Sequence, residues 1–156
     1  MATFDKSTPF ILLARIQVKQ GCVDEYLELA RITDAAVQKS EPGMIHHTFD
    51  QDPGDPQAFV WSEVYANDEA FKAHVSNAPV QEYLQKHAEL GAGFSIEVYG
   101  TVGDECRQLM ESFGLPLKFS TQNWDTAEFD LRFRVENKKK LLIGKTNHHQ
   151  FNFEWQ

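Results

Sequence analysis

A glutamate, several aromatics and a histidine crowd into residues 59–74 of this chain. Phe59, Trp61, Glu63 and Tyr65 alternate along what reads as a strand, so period-two geometry places all four side chains on one face. The chain then runs into a helix that Asn67 or Asp68 can cap by accepting a first-turn N–H. On that helix Phe71 and His74 stand three residues apart and lean to the same side. Rings, a carboxylate and an imidazole gathered at one pocket could orient an aromatic compound and take a proton from it. Histidine as a residue type, with an unperturbed pKa of about 6.5, is the natural candidate base, and His74 is the first choice. Its structural alternative is a partly buried histidine that hydrogen-bonds the sheet. Glu63, set among three rings, should be paired or hold its proton more tightly. It is a second catalytic candidate, with pairing to Arg15 or a lysine as the conservative role. Trp61, Tyr65, Phe71 and Tyr83 are the candidate substrate walls, and core or dimer contact is the alternative for the sheet aromatics.

Other titratable residues offer less. His46 and His47 are neighbours on a strand and point to opposite faces, so they do not form a joint metal site. His148 and His149 have the same defect, and no other His, Asp or Glu set has metal-ligand spacing. His87 falls on the stripe Val80, Tyr83, Leu84, His87 and is a weaker pocket candidate. No Ser-His-Asp set, phosphate loop or dinucleotide fingerprint is present. Cys22 and Cys106 are far apart and read as buried free thiols of a reducing compartment.

The 156 residues, 42% hydrophobic and 24% charged, fit one globular domain. No apolar run approaches the roughly 20 residues of a membrane helix. The first residues lack a signal pattern, so a cytoplasmic location is expected. Residues 1–126 hold 9 basic against 19 acidic side chains, and residues 127–156 hold 6 against 4. An acidic body repels phosphate backbones, which argues against nucleic acid as a partner.

The elements that must position the candidates follow from pattern and punctuation. Residues 10–18 read as a strand ended by Gln20-Gly21. Val23, Tyr26, Leu27, Ala30 and Val37 follow helical spacing, and Glu41-Pro42-Gly43 stops that helix. A strand over residues 44–51, a turn at Asp52-Pro53-Gly54-Asp55-Pro56 and a strand over 58–66 come next. The second helix is broken or restarted by Pro79 and closed by Gly91-Ala92-Gly93, before a fourth strand over 94–99. The order β-α-β-β-α-β is the ferredoxin-like split unit of an α+β protein. Its helices cover one sheet face, and a second copy of the sheet is the simplest cover for the other, so a homodimer is expected. Asp104 can cap a short helix with Cys106, Leu109, Met110 and Phe113 on one stripe, packed on the barrel edge or on a partner. Residues 1–126 are expected to form this domain with its short helix. Residues 127–156 are an extension in which Phe129, Leu131, Phe133 and Val135 alternate as in a strand, followed by a polar segment over 138–156.

Three places resemble the antibiotic biosynthesis monooxygenase (ABM) domain across residues 9–101: Glu41-Pro42-Gly43, Glu63-x-Tyr65 and Asp68-x-x-Phe71-x-x-His74. The resemblance implies a dimeric α+β barrel with a pocket between sheet and helices. It also implies oxidation of a small phenolic, quinol or polyketide-like substrate by molecular oxygen without flavin or metal. Relatives that isomerise or process lactones imply a second possible chemistry on the same scaffold, and a non-catalytic ligand-binding dimer is a third. Haem-degrading relatives keep an Asn on the first strand and a Trp near the end of the third. Here Arg15 and Gln17 are the polar residues of the first strand and Tyr65 stands near the Trp position, which disfavours haem degradation.

Overall fold

The computed structural model describes residues 8–120. The alternating segment 129–135, the polar segment 138–156 and the His148-His149 pair lie outside the described residues. The elements are β1 (Phe10–Val18), α1 (Val23–Ser40), β2 (Met44–Gln51), β3 (Ala58–Tyr65), α2 (Asp68–Ser76), α3 (Ala78–Leu90), β4 (Gly91–Tyr99), α4 (Asp104–Ser112) and β5 (Leu117–Phe119). They form one five-stranded sheet in the order β2-β3-β1-β4-β5, antiparallel except for the β4–β5 pair. The first four strands and the helices between them make the α+β, ferredoxin-like βαββαβ unit.

Period two sorts the central strands. Phe10, Leu12, Ala14, Ile16 and Val18 of β1 are buried, as are Phe59, Trp61, Glu63 and Tyr65 of β3. The register pairs Phe10 with Tyr65, Leu12 with Glu63 and Ala14 with Trp61, so both sets share one face. Tyr26 and Ala30 of α1, Phe71 of α2 and Tyr83 of α3 join the same core cluster. The opposite face carries Ile11, which is 44% exposed, and an ion pair between Arg15 and Glu97 at 2.6 Å.

Asn67 caps α2 by accepting the Ala70 N–H at 2.9 Å. Asp68 is instead turned away from its own helix and accepts the Gly103 N–H at 2.8 Å, fastening the β4–α4 connection to α2. Pro79 falls in the first turn of α3, where its missing N–H has no intrahelical partner to lose.

Several expectations are corrected. Leu27 is 41% exposed, because the buried stripe of α1 runs Tyr26, Ala30, Thr33, Val37 and a residue next to Tyr26 falls about 100° away. Gly91 to Gly93 form no closing loop. β4 starts at Gly91 directly after Leu90, and the His87 ring lies where a side chain would stand: a Cβ there would come within 2.2 Å of it. Gly103, not Asp104, occupies the cap position of α4. Cys106 and Met110 of that helix enter the domain's own core, while Phe113 stays 37% exposed. The sequence reading missed β5, since three residues are too few to show a period.

Candidate active site

A cavity of about 400 Å³ opens between the sheet and the helices. Trp61, Glu63 and Tyr65 reach it from β3, Phe71 and His74 from α2, and Tyr83 and His87 from α3. All six candidate residues therefore line one space, and His87 joins them. Most of the remaining wall is apolar, including Leu12, Ala14, Val80, Leu84 and Phe94, while Phe113 and Leu115 come from beyond the βαββαβ unit.

The polar side chains gather around Glu63, which is 5% exposed. Tyr65 donates its hydroxyl to Glu63 Oε2 at 2.8 Å. His47 Nε2 and His74 Nε2 approach Glu63 Oε1 at 3.4 and 3.9 Å. Each imidazole is held from behind by a second carboxylate. His47 Nδ1 meets Asp34 Oδ1 at 2.6 Å, and His74 Nδ1 meets Glu41 Oε2 at 2.8 Å. Asn77 Nδ2 donates to the other Glu41 oxygen at 2.6 Å. Two carboxylate–histidine pairs thus converge on one buried glutamate. Glu63 does not pair with Arg15, which alternates with the buried residues of β1 and faces the other side of the sheet toward Glu97. The histidines next to Glu63 take the role that arginine or lysine was expected to fill.

His47 and Glu41 are the site residues that sequence reasoning overlooked. A bulge decides the first. Met44 pairs with Tyr65 and His46 with Val64, so Ile45 is an extra residue in β2, 59% exposed. Alternation restarts one residue late, which sends His46 outward and brings His47 opposite Glu63. Its ring stacks on Trp61 with centroids 4.3 Å apart. Glu41 stood in the sequence as part of a helix stop. In the fold the Glu41-Pro42-Gly43 turn lies against α2: Gly43 packs on Ala70 while Glu41 grips His74. Two separate motif pieces are therefore one contact.

The electrostatics divide the roles. Burial disfavours the charge on His47, but the hydrogen bond and charge of Glu63, then those of Asp34, outweigh it and raise its pKa above the ordinary 6.5. Burial likewise opposes ionisation of Glu41, yet the hydrogen bonds from His74 and Asn77 win and lower its pKa. Burial, then the charge of Glu63, pushes the Tyr65 phenol well above its usual value, and burial does the same for Tyr83 and Tyr26. These phenols keep their protons at neutral pH and act as donors and walls. A histidine whose folded pKa is raised contributes stability below its unfolded value, and loses that contribution as pH climbs through the folded one. The stability margin of the natural protein over His47→Gln should therefore shrink from pH 6 toward alkaline pH. Urea unfolding across that range checks it, and a flat margin would mean that Glu63 and Asp34 do not hold the cation.

A second polar chain lies along the same wall. Trp61 Nε1 donates to the Tyr83 hydroxyl at 2.8 Å, Tyr83 meets Tyr26 at 2.7 Å, and Tyr26 meets His87 Nδ1 at 2.7 Å. The Trp61 indole thus spans both networks, with its face on His47 and its N–H on Tyr83.

Residues 9–86 match the family description "Antibiotic biosynthesis monooxygenase". The chain belongs to this family. A Synechocystis protein of uncharacterised function, sll1783, is 28% identical over 82 residues, which cover 53% of this chain and 55% of that relative. The chain thus matches only about half the length of that curated relative. Three solved structures carrying the family's name share the ABM fold. The one from Chloroflexus aurantiacus is 25% identical with a TM-score of 0.53, over 62% of this chain and 95% of that one. The Caulobacter crescentus structure is 19% identical with a TM-score of 0.59, over 63% and 93%. The Nitrosomonas europaea structure is 20% identical with a TM-score of 0.58, over 65% and 98%. Among the described residues no helix is long and apolar enough to cross a membrane.

Proposed function

We propose that this ABM-family chain is a cofactor-independent monooxygenase that oxidises a small phenolic, quinol or polyketide-like compound with molecular oxygen. The observation that carries the reading is a largely apolar cavity of about 400 Å³ with two carboxylate-backed histidines at one end. Triplet dioxygen reacts slowly with closed-shell molecules, and a phenolate evades that barrier by giving up one electron at a time. The protein then needs a base, aromatic walls and a dry site in which local electrostatics are strong. His74 takes the phenolic proton on Nε2, because Nδ1 is committed to Glu41. His47, as a cation between Asp34 and Glu63, balances the buried carboxylates. Trp61, Tyr65, Phe71 and Tyr83 orient the ring. For a phenol with a free para position the balance is simple: phenol and one dioxygen yield a quinone and one water, with all four electrons coming from the substrate.

Oxygen uptake by the purified protein over a panel of quinols and naphthols tests this reading. Uptake that never exceeds the spontaneous rate would sink it. Turnover that persists without oxygen would point instead to proton-shuffling isomerase or lactone chemistry by the same histidine. The reading also includes a cytoplasmic homodimer built through the outer sheet face, where Ile11 is exposed. Sedimentation of the natural protein and of Ile11→Asp gives the oligomeric state, and a monomeric natural protein would remove that element.

A further inference from the structure

Tyr83 has a hydrogen-bonding problem with two solutions. Its oxygen always accepts from Trp61 Nε1, because an indole N–H can only donate. The proton between Tyr83 and Tyr26, and the one between Tyr26 and His87 Nδ1, can each run either way. With a lone pair on His87 Nδ1, Tyr26 donates to the imidazole and Tyr83 donates to Tyr26. The Tyr83 proton is then used up inside the wall. With a proton on Nδ1 every donor reverses. His87 donates to Tyr26, Tyr26 donates to Tyr83, and the Tyr83 hydroxyl, already accepting two hydrogen bonds, must point its own proton elsewhere. Tyr83 lines the cavity, while Tyr26 is fully buried behind it.

We propose that Tyr83 donates its hydroxyl proton to an acceptor oxygen of the substrate, carbonyl or phenolate, and that a proton on His87 Nδ1, relayed through Tyr26, frees it to do so. This rests on the reading of the cavity as the substrate site. It adds an anchor on α3, apart from the Glu63 cluster. The titratable and charged groups facing His87 are Tyr26 from α1, Tyr83 from its own helix and Lys19 from the turn before α1. β4 contributes the Phe94 ring and the Gly91 backbone. Burial and then Lys19 hold the His87 pKa below its ordinary value, so its cation, which must carry a proton on Nδ1, forms on the acid side of neutrality. The neutral ring can keep its proton on Nε2 and leave Nδ1 as the acceptor of the Tyr26 hydroxyl. Because the ligand selects the reversed arrangement, its binding and the protonation of His87 favour each other.

The probe pair is 1-tetralone and tetralin, two neutral bicycles that differ by one acceptor oxygen and do not titrate. Calorimetry at pH 5.5 should give tetralone a roughly 3- to 10-fold tighter Kd, the worth of one net hydrogen bond. The preference should shrink as pH rises to 8. Tyr83→Phe should erase it while tetralin still binds. Tyr26→Phe should keep the preference and abolish its pH dependence, since nothing then competes for the Tyr83 proton. His87→Gln also removes the titrating group and covers the case in which Tyr26→Phe does not fold. Equal binding of both probes, or a preference that survives Tyr83→Phe, overturns the anchor and leaves the cavity reading standing. A pH dependence that survives both Tyr26→Phe and His87→Gln overturns the relay. If neither probe binds, the cavity reading is removed and the anchor falls with it.

Discussion

Substrate-dependent oxygen uptake is expected to fall about 10²- to 10⁴-fold when His74 is replaced by glutamine, the usual span for loss of a positioned general base. The ring makes its one close hydrogen bond to Glu41, while Nε2 lies 3.9 Å from Glu63 Oε1, beyond hydrogen-bond distance. Nδ1 is fixed by Glu41, which is itself held by Asn77, so Nε2 is the nitrogen left to meet a substrate. Glutamine can still reach Glu41 but does not accept a proton near neutral pH. The loss should therefore appear in kcat with little change in melting temperature. Glu41→Gln should give a smaller loss, because the base remains and only its orientation is weakened. Steady-state oxygen-electrode kinetics on the three proteins, corrected for the spontaneous rate, decide the matter. A His74→Gln enzyme with natural turnover would move the proton acceptor to His47 or elsewhere.

The largest expected effect on stability comes from a single methyl group. A Cβ built on Gly43 would stand 2.6 Å from the Ala70 Cβ of α2, far inside van der Waals contact. The backbone at Gly43 needs no left-handed conformation, so the effect of Gly43→Ala is steric. Overpacking of this kind costs about 1–3 kcal/mol. The same push would part α2 from the turn that carries Glu41, so the grip on His74 and the activity should weaken along with the fold. Ala70→Gly alone should cost about 0.5–1 kcal/mol as a glycine inside a helix. The double variant should nevertheless be more stable than Gly43→Ala, because the second change removes the clashing atom. Thermal unfolding of the four proteins tests this. A double variant no better than the single one would mean that the contact between turn and helix does not set the spacing.

Much of the fold was legible because several local signals agreed. The period-two faces of β1 and β3, the breaks at Gln20-Gly21, Glu41-Pro42-Gly43 and Asp52–Pro56, and the cap at Asn67 each marked an element that the structure contains. The candidate residues on β3, α2 and α3 reach one cavity for the same reason, since strand and helix periods fix which side chains share a face. β5 was not legible, because three residues carry no period, and neither was the start of β4, where Gly91, read as part of a loop, makes room for His87. The partner of Glu63 was misassigned. Charge complementarity suggested Arg15, but the parity of β1 turns that side chain to the opposite face of the sheet.

The sequence by itself determined that Phe59, Trp61, Glu63 and Tyr65 share a face and that His74 follows Phe71 on one side of a helix, because both periods are local properties of the backbone. Which histidine of the His46-His47 pair meets Glu63 was decided only in the tertiary structure. One unpaired residue, Ile45, shifts the parity of β2, and a bulge arises from pairing with a neighbouring strand, not from the strand's own residues. Likewise, Glu41 and Gly43 are a helix stop in the chain and become a clasp on His74 and α2 only when residues roughly 30 positions apart are packed together.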